Sequence, residues 1–543
     1  MDVANEAEHK FLEYLEANLT FWRSQKPRAG DDDKVIVVDL YHDNSEYLRL
    51  NLITAKYLQY RFGGTIVGVT LQSAPSHAII KAANRQNLQR IAHSFGIEEI
   101  VTIEVAEEEG RSRRNDFWTG LSADNPAALR CALLNYVSPR GVPLTRYAYE
   151  NYLKSQFQET VRELDAELIF SVNEAFAVEE FFTDFFRKRK CSWVVSGHIV
   201  YNFWGVMSHM ALLSGVPVMH THPLTPELMY IFRDKPQHAM PIQSLCRAAD
   251  KKVFDEFLWP HREKLRRATL AMAQGAELGF KAPNWWLKPA AASADKSQLR
   301  ADVRTRFGWH DLSKPIVSVC AHTFADAPLG DLNAHDDYYR WIFETIALAQ
   351  ADTGKYWLFK RHPQDHLFNK TGASQTLYNG MVAADHIRAV GEELTREELF
   401  AATDLAITIR GSLGYDLPAH GVPCLLAGCA PYSELGFCIV ADTLPVYISF
   451  LRDLGAIPAL SDEQIYRAQM YFALNQLFGG LNSVHILGRD ARNGPVAYWN
   501  DLLRSVELYS VEQDPYYRNI CDSLTAGSPR GLNFDLIRFL VAE

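Results

Sequence analysis

The sequence has no Cys-x-x-Cys pair, no basic surplus, no low-complexity tract and no apolar run of the about 20 residues a membrane-spanning helix needs. Each absence excludes something. The eight cysteines, Cys131, Cys191, Cys246, Cys320, Cys424, Cys429, Cys438 and Cys521, are scattered through apolar segments. That scatter suits reduced thiols in a cytoplasmic protein rather than a disulfide framework. A zinc site within 424–438 is a minor alternative, given the spacings zinc requires. Without a spanning helix, membrane contact is peripheral at most. Met1-Asp2-Val3-Ala4-Asn5-Glu6 is polar and acidic and lacks the basic and apolar regions of a signal peptide. The expected location is the cytoplasm, extending at most to the inner face of the membrane. A formal net charge of -10 and a pI near 6.0 leave no basic stripe, so nucleic acid is not an expected partner.

What is present is ordinary globular material. The chain has 543 residues, 48% hydrophobic and 22% charged, enough for about two to four domains. Its 11 tryptophans and 24 tyrosines suit aromatic-walled carbohydrate clefts, but large cores are their commoner use. Short β-branched apolar runs alternate with helical patterns, the signature of an α/β fold with parallel sheets. Strands are expected at 35–40, 65–70, within 97–105, and at 168–172, 193–196 and 216–220. After residue 223 strand signals fade. A second series follows at 315–320, 356–360, 387–390, 405–409, 422–426 and 437–440. Thr395 with Glu398 three residues on predicts a capping box opening a helix. The expected division is an N-terminal helix over 1–30, a Rossmann-like domain over 31–250, a helical linker over 251–310, a second Rossmann-like domain over 311–460 and a helical segment over 461–543. Residues 106–165 read as a less regular insertion.

Two short motifs carry chemistry. Strand 356–360 delivers Arg361-His362-Pro363 at its carboxyl end, where loops of α/β sheets meet ligands. Arg361 can pair with phosphate, His362 can donate to a phosphate oxygen or leaving group, and Pro363 fixes the chain behind it. With 18 histidines and 24 prolines, about one His-Pro pair is expected by chance, and His222-Pro223 is a second. The weight comes from position. Strand 405–409 runs into Arg410-Gly411-Ser412-Leu413-Gly414 and a short helix. Small residues there let backbone N–H groups approach an anion, and Ser412 can cap the helix or donate to phosphate. His322-Thr323 follows strand 315–320, and its polar side chains can reach a phosphate from that strand end.

The order Arg-His-Pro, then Gly-Ser-Leu-Gly-Tyr-Asp, then His-Gly-Val-Pro-Cys-Leu-Leu, then Pro-Tyr-Ser-Glu-Leu-Gly-Phe resembles the bacterial capsule polysaccharide synthesis proteins, among them transferases of Kdo from its CMP-activated form. The match covers 315–440 well and the N-terminal half in outline. The resemblance implies a GT-B-like fold, with two Rossmann-like domains facing a cleft and the donor held by the second. It also implies that His362-Pro363 and the Gly411–Gly414 turn hold the donor phosphate. One departure is Pro418, which removes a backbone donor from the helix after the turn.

The implied activity is a metal-independent glycosyltransferase. It would move a sugar from a nucleotide-sugar donor to a carbohydrate or glycolipid acceptor of the bacterial surface, with a CMP-activated acidic sugar favoured over a UDP-sugar. No cofactor and no metal are expected, because no Asp-x-Asp stands at a strand end in a donor-like context and Arg361 and Arg410 can stabilise the departing phosphate instead. An acceptor base should follow a strand of the first domain. His42 and Asp43 follow the first strand, with Glu46 just beyond. Asp43, Glu174 and His198 rank first, and Asp39 reads as structural. His220-Thr221-His222 lacks the carboxylate spacing of a metal site. Other readings of the chain are a polyol-phosphate transferase using a CDP-polyol, a sugar-nucleotide epimerase, and a non-catalytic export or scaffold protein.

Overall fold

The computed structural model describes residues 3–25, 33–42, 45–72, 82–106, 112, 116–121, 125–222, 228–274, 295–330, 333–368, 370–453, 457–481, 483–485 and 494–542. The chain is α/β and forms two compact units. Unit 1 comprises Met1–Ser112, Asn173–His238 and Leu477–Phe539, and unit 2 comprises Arg113–Val172, Ala239–Gln476 and Leu540–Glu543. The linear division expected above is therefore interrupted twice. The segment read as an insertion belongs largely to unit 2, and most of the helical C-terminal segment returns to unit 1.

Unit 1 carries β1 (Val35–Asp39), β2 (Thr65–Gln72), β3 (Glu99–Glu104), β4 (Cys191–Ser196), β5 (Val218–His222) and β6 (Leu228–Phe232). They lie in the order β3-β2-β1-β4-β5-β6, parallel except for β6 against β5. Four of the five residues of β1 are buried, as a β-branched run between two helix layers requires. Helix Ser45–Phe62 ends at Gly63 and Gly64, whose φ values are 74° and 93°. A side chain on Gly64 would stand 2.7 Å from the Lys34 carbonyl, so the turn into β2 requires glycine.

Unit 2 carries β7 (Ile316–Cys320), β8 (Tyr356–Lys360), β9 (Ile387–Val390), β10 (Leu405–Thr408), β11 (Cys424–Leu426) and β12 (Ile439–Val440). Their order is β12-β11-β10-β7-β8-β9, with every pair parallel. Its core is built on Val317, Val319, Trp341, Trp357, Phe359, Ile407 and Leu425, each at most 1% exposed. The expected capping box forms, with Thr395 and Glu398 exchanging bonds at the start of helix Arg396–Ala402.

Both sheets follow the doubly wound plan, in which strand order reverses once. That reversal falls between β1 and β4 in unit 1 and between β7 and β10 in unit 2. The crevice beyond the carboxyl ends of the strands at such a reversal is where open α/β sheets bind ligands.

One expected strand is corrected and one strand was not expected. Residues 168–172 are helical, inside Ala166–Lys188. Asp165 opens that helix by accepting from the Leu168 amide at 2.7 Å. Leu168, Val172, Ala175, Val178, Phe182 and Phe185 then bury one helical face. A five-residue apolar run has no period of its own that separates strand from buried helix. Conversely β6 was missed, although Leu228-Met229-Tyr230-Ile231-Phe232 is a continuous apolar run.

Candidate functional site: two switch points lined with histidine

In unit 2, His322 follows β7, Arg361-His362 follows β8 and Arg410-Gly411 follows β10. The topology brings His322, His362 and Arg410 together. The rings of His322 and His362 stack at 5.6 Å, and His322 also packs on Tyr338 at 4.7 Å. The amide of Gln364 donates to His362 Nδ1 at 3.1 Å. The proton of the neutral imidazole therefore sits on Nε2, the nitrogen that can donate to a ligand oxygen. Burial lowers the His362 pKa. Burial, then the neighbouring His362, pushes His322 down to about 3. Both rings are thus neutral hydrogen-bonding groups at pH 7. The Nδ1 of His322 is sealed from solvent without a hydrogen-bond partner, and so is the Oγ1 of Thr323, a residue 1% exposed. Sealed polar groups of this kind usually have a partner, and a bound ligand would supply one.

Arg410 lies beside this pair. Its Nη1 reaches Gln243 at 3.4 Å, and its positive charge acts on His322 and Tyr338. The guanidinium lies against Gly330, where a side chain would stand 2.3 Å from Nη1. Asp326, whose negative charge acts on His322, pairs with Lys154 at 2.8 Å. Arg361 goes elsewhere. Its Nη1 donates to Gln375 at 3.2 Å and its head lies 5.8 Å from the Tyr378 ring. Pro363 is exposed at the end of the loop.

The Gly411–Gly414 turn leads into helix Leu413–Ala419. Ser412 is exposed and makes no capping hydrogen bond with its side chain, so the expected cap does not form. Leu413 is half-buried behind it. The Tyr432 hydroxyl donates to the Gly411 carbonyl at 2.5 Å. A side chain at position 414 would stand 2.1 Å from that hydroxyl, so Gly414 is required by packing. Arg396 Nη2 reaches both Asp416 oxygens at 2.5 Å and fixes the helix from its far side.

Pro418 has a specific compensation. In a regular helix the Gly414 carbonyl would accept from the amide of residue 418, four positions on. Proline has no N–H. The Cys438 thiol, just before β12, donates to the Gly414 oxygen at 2.9 Å instead. A side chain 24 residues away thus supplies the donor the helix lacks.

In unit 1, His42 follows β1 and His198 follows β4, and their Nε2 atoms are 3.1 Å apart. His42 stacks on Tyr47 at 4.1 Å, and the Tyr47 hydroxyl bonds His222 Nε2 at 2.8 Å. Burial lowers the His42 pKa to about 3. Beneath the pair, Asp39 accepts from the amides of Gly197 and Tyr41 at 3.1 and 2.7 Å, from Trp204 Nε1 at 2.7 Å and from Asn51 Nδ2 at 3.2 Å. It ties β1 to the loop after β4, a structural role. Burial still raises its pKa to about 6. His220 and His222 are engaged separately, His220 with the Ser196 carbonyl at 3.2 Å and His222 with Tyr47. Among the described residues no group of three or more His, Cys, Asp or Glu is placed to hold a metal ion. No helix there is long and apolar enough to cross a membrane.

Of the three residues ranked as catalytic, only His198 stands at a strand end in the described structure. Asp43 lies outside the described residues. Glu174 does not follow a strand. It sits inside helix Ala166–Lys188, 1% exposed, and its Oε1 accepts from Asn202 Nδ2 at 2.9 Å. His42, passed over in that ranking, is the immediate partner of His198. Its position at the end of β1, beside the strand-order reversal, was the available signal.

Both units therefore define one class, the doubly wound α/β fold with polar groups at the reversal of strand order. No protein-family model matches the chain, and no curated protein matches it. Solved structures similar in outline include UDP-GlcNAc 2-epimerase from Neisseria meningitidis bound to UDP-GlcNAc, 10% identical over 80% of this chain and 93% of that one, with a TM-score of 0.24. Thermosulfurimonas dismutans KpsC, a beta Kdo 2,7 transferase, is 11% identical over 55% of this chain and 81% of its own, with a TM-score of 0.30. Acinetobacter baumannii MurG is 12% identical over 81% and 94%, with a TM-score of 0.24.

Proposed function

We propose that the chain is a glycosyltransferase whose unit 2 holds a nucleotide-sugar donor at the reversal between β7 and β10. A CMP-activated acidic sugar is favoured and a UDP-sugar is the alternative. The acceptor is a carbohydrate or glycolipid of the bacterial surface, as the capsule-protein resemblance implies. The observation that carries this reading is the neutral His322–His362 pair beside Arg410. His362 Nε2–H donates to the phosphate oxygen that gains charge as the glycosidic bond breaks. Arg410 balances that charge, in the role a metal serves elsewhere. The sealed polar atoms of His322 and Thr323 gain partners from the bound donor. Ser412, not engaged as a helix cap, donates to the same phosphate. In unit 1, His198 is the candidate base for the acceptor hydroxyl, and His42 positions it and shares its proton.

Thermal-shift screening of CMP, CDP, UDP and GDP against the full chain tests the donor assignment. Stabilisation by a cytidine nucleotide above the others is expected. No stabilisation by any of the four sinks the reading and favours a scaffold. Strongest stabilisation by UDP moves the donor to a UDP-sugar and leaves the site in place.

A further inference from the structure

We propose that Cys424 and Cys438 are a redox-sensitive thiol pair whose disulfide loosens the Gly411–Gly414 turn. The regulatory half of this inference rests on the donor-site reading above; the chemistry of the pair does not.

β11 and β12 are parallel neighbours, with Leu425 opposite Ile439 and Leu426 opposite Val440. One step back along that register Cys424 faces Cys438. Neighbouring strands run about 4.8 Å apart, inside the ~4.4–6.8 Å between Cα atoms that a disulfide spans. The two side chains point to the same face, and each thiol donates to a backbone carbonyl, Cys424 to Leu425 at 3.8 Å and Cys438 to Gly414 at 2.9 Å. Both cysteines are reduced in the structure.

Access is asymmetric. Cys424 is 1% exposed, whereas Cys438 is half-buried and can meet a small reagent. The oxidant class is a low-molecular-weight disulfide such as glutathione disulfide. The Cys438 thiolate attacks one sulfur of the reagent, forming a mixed disulfide and releasing one thiolate, which takes up the Cys438 proton. The Cys424 sulfur then attacks Cys438 Sγ, breaking the mixed disulfide and releasing the second thiolate, which takes up the Cys424 proton. Two protein thiols are oxidised and one reagent disulfide is reduced to two thiols.

The consequence follows from Pro418. The Cys438 proton is the one that satisfies the Gly414 carbonyl, because Pro418 cannot. A disulfide sulfur has no proton to donate. Oxidation therefore leaves a buried carbonyl at the end of the turn without that donor, and the sulfur is drawn toward β11. The turn is coupled to the same strands through the Tyr432 bond to Gly411. A cross-link forming in this position reports on, and perturbs, the segment that follows Arg410.

The test uses the full chain, reduced and then exposed to glutathione disulfide. Linked-peptide mass spectrometry reads the cross-link, hydrogen exchange of the Asp416–Val422 amides reads the turn, and titration with CMP reads the site. A 424–438 linked peptide is expected, with exchange about fivefold or more faster and CMP binding weakened by a similar factor. Cys424→Ala and Cys438→Ser should form no such link and show neither change on oxidation. Cys438→Ser also keeps a donor for Gly414. Exposed Cys131 is the internal control for reagent reach. Mixed disulfide on Cys131 with no 424–438 link overturns the proposal, and so does a link that leaves exchange unchanged. If the reduced protein binds none of CMP, CDP or UDP, the donor-site reading fails, and exchange alone decides whether the switch exists.

Discussion

Replacing Cys438 by alanine perturbs the candidate donor turn without touching any group that faces a ligand. The thiol donates to the Gly414 oxygen at 2.9 Å, and Gly414 is buried. Leaving a buried carbonyl without a donor costs ~1–3 kcal/mol, and a thiol is a weak donor, so the low end applies. Loss of the half-buried sulfur's packing adds up to about 1 kcal/mol. Cys438→Ala should therefore weaken helix Leu413–Ala419 by ~1–2 kcal/mol, which speeds exchange of its amides about fivefold to thirtyfold. The decisive comparison is a double-mutant cycle with Pro418→Ala. Alanine restores the amide at position 418, so the Gly414 carbonyl regains its helical donor. In that background Cys438→Ala should cost only the packing portion. A coupling of ~1 kcal/mol is expected, well above the ~0.3–0.5 kcal/mol within which independent sites add. Effects of proline on the unfolded chain cancel in the cycle. Equal acceleration of exchange in both backgrounds would refute the compensation.

Two further outcomes follow from buried groups in unit 1. His42 and His209 stay neutral in the fold down to about pH 3, against an ordinary 6.5, because burial disfavours the charged ring. The unfolded chain takes up those protons near 6.5, so the stability present above that value falls as pH drops, by about 1.4 kcal/mol per unit for each histidine. Asp39, raised from 3.8 to about 6, works the other way. Its folded form binds a proton more tightly, which favours the fold as pH falls from about 6 toward 3.8. Two histidines outweigh one aspartate, so the urea midpoint of unit 1 should be lower at pH 5 than at pH 7.5, and a level or higher midpoint contradicts this balance. Glu174→Ala should lower thermal stability by ~1–3 kcal/mol by removing a buried acceptor of the Asn202 side-chain amide, and Glu174→Gln should restore most of it. Failure of glutamine to rescue would mean that the carboxylate has a role its helix position does not explain.

Eleven of the twelve strands among the described residues were legible because each is a short apolar run bounded by turn residues, and parallel strands buried on both faces read that way. Strand β6 was missed because strand signals fade after residue 223 and Leu228–Phe232 stands alone there as one short apolar run. Residues 168–172 were misread because the cue that settles them, Asp165 bonding the Leu168 amide, is a local cap rather than a periodicity. The positions of His322, His362, Arg410 and His198 at strand ends could be read from sequence. Their partners could not. The stacking of His322 on His362, the proximity of His42 to His198 and the thiol donor from Cys438 join residues that are 24 to 156 positions apart. The departure of Arg361 toward Tyr378 is likewise a matter of side-chain direction, which a motif does not carry.

The central claim is that the reversal between β7 and β10 binds the phosphate of a nucleotide-sugar through His362 and Arg410. Isothermal titration of the full chain and of His362→Ala and Arg410→Ala with the best-stabilising nucleotide tests it directly. Binding to the wild-type chain, weakened about tenfold or more in each variant with unfolding temperature retained, is the expected result. Equal affinity in all three proteins would contradict it.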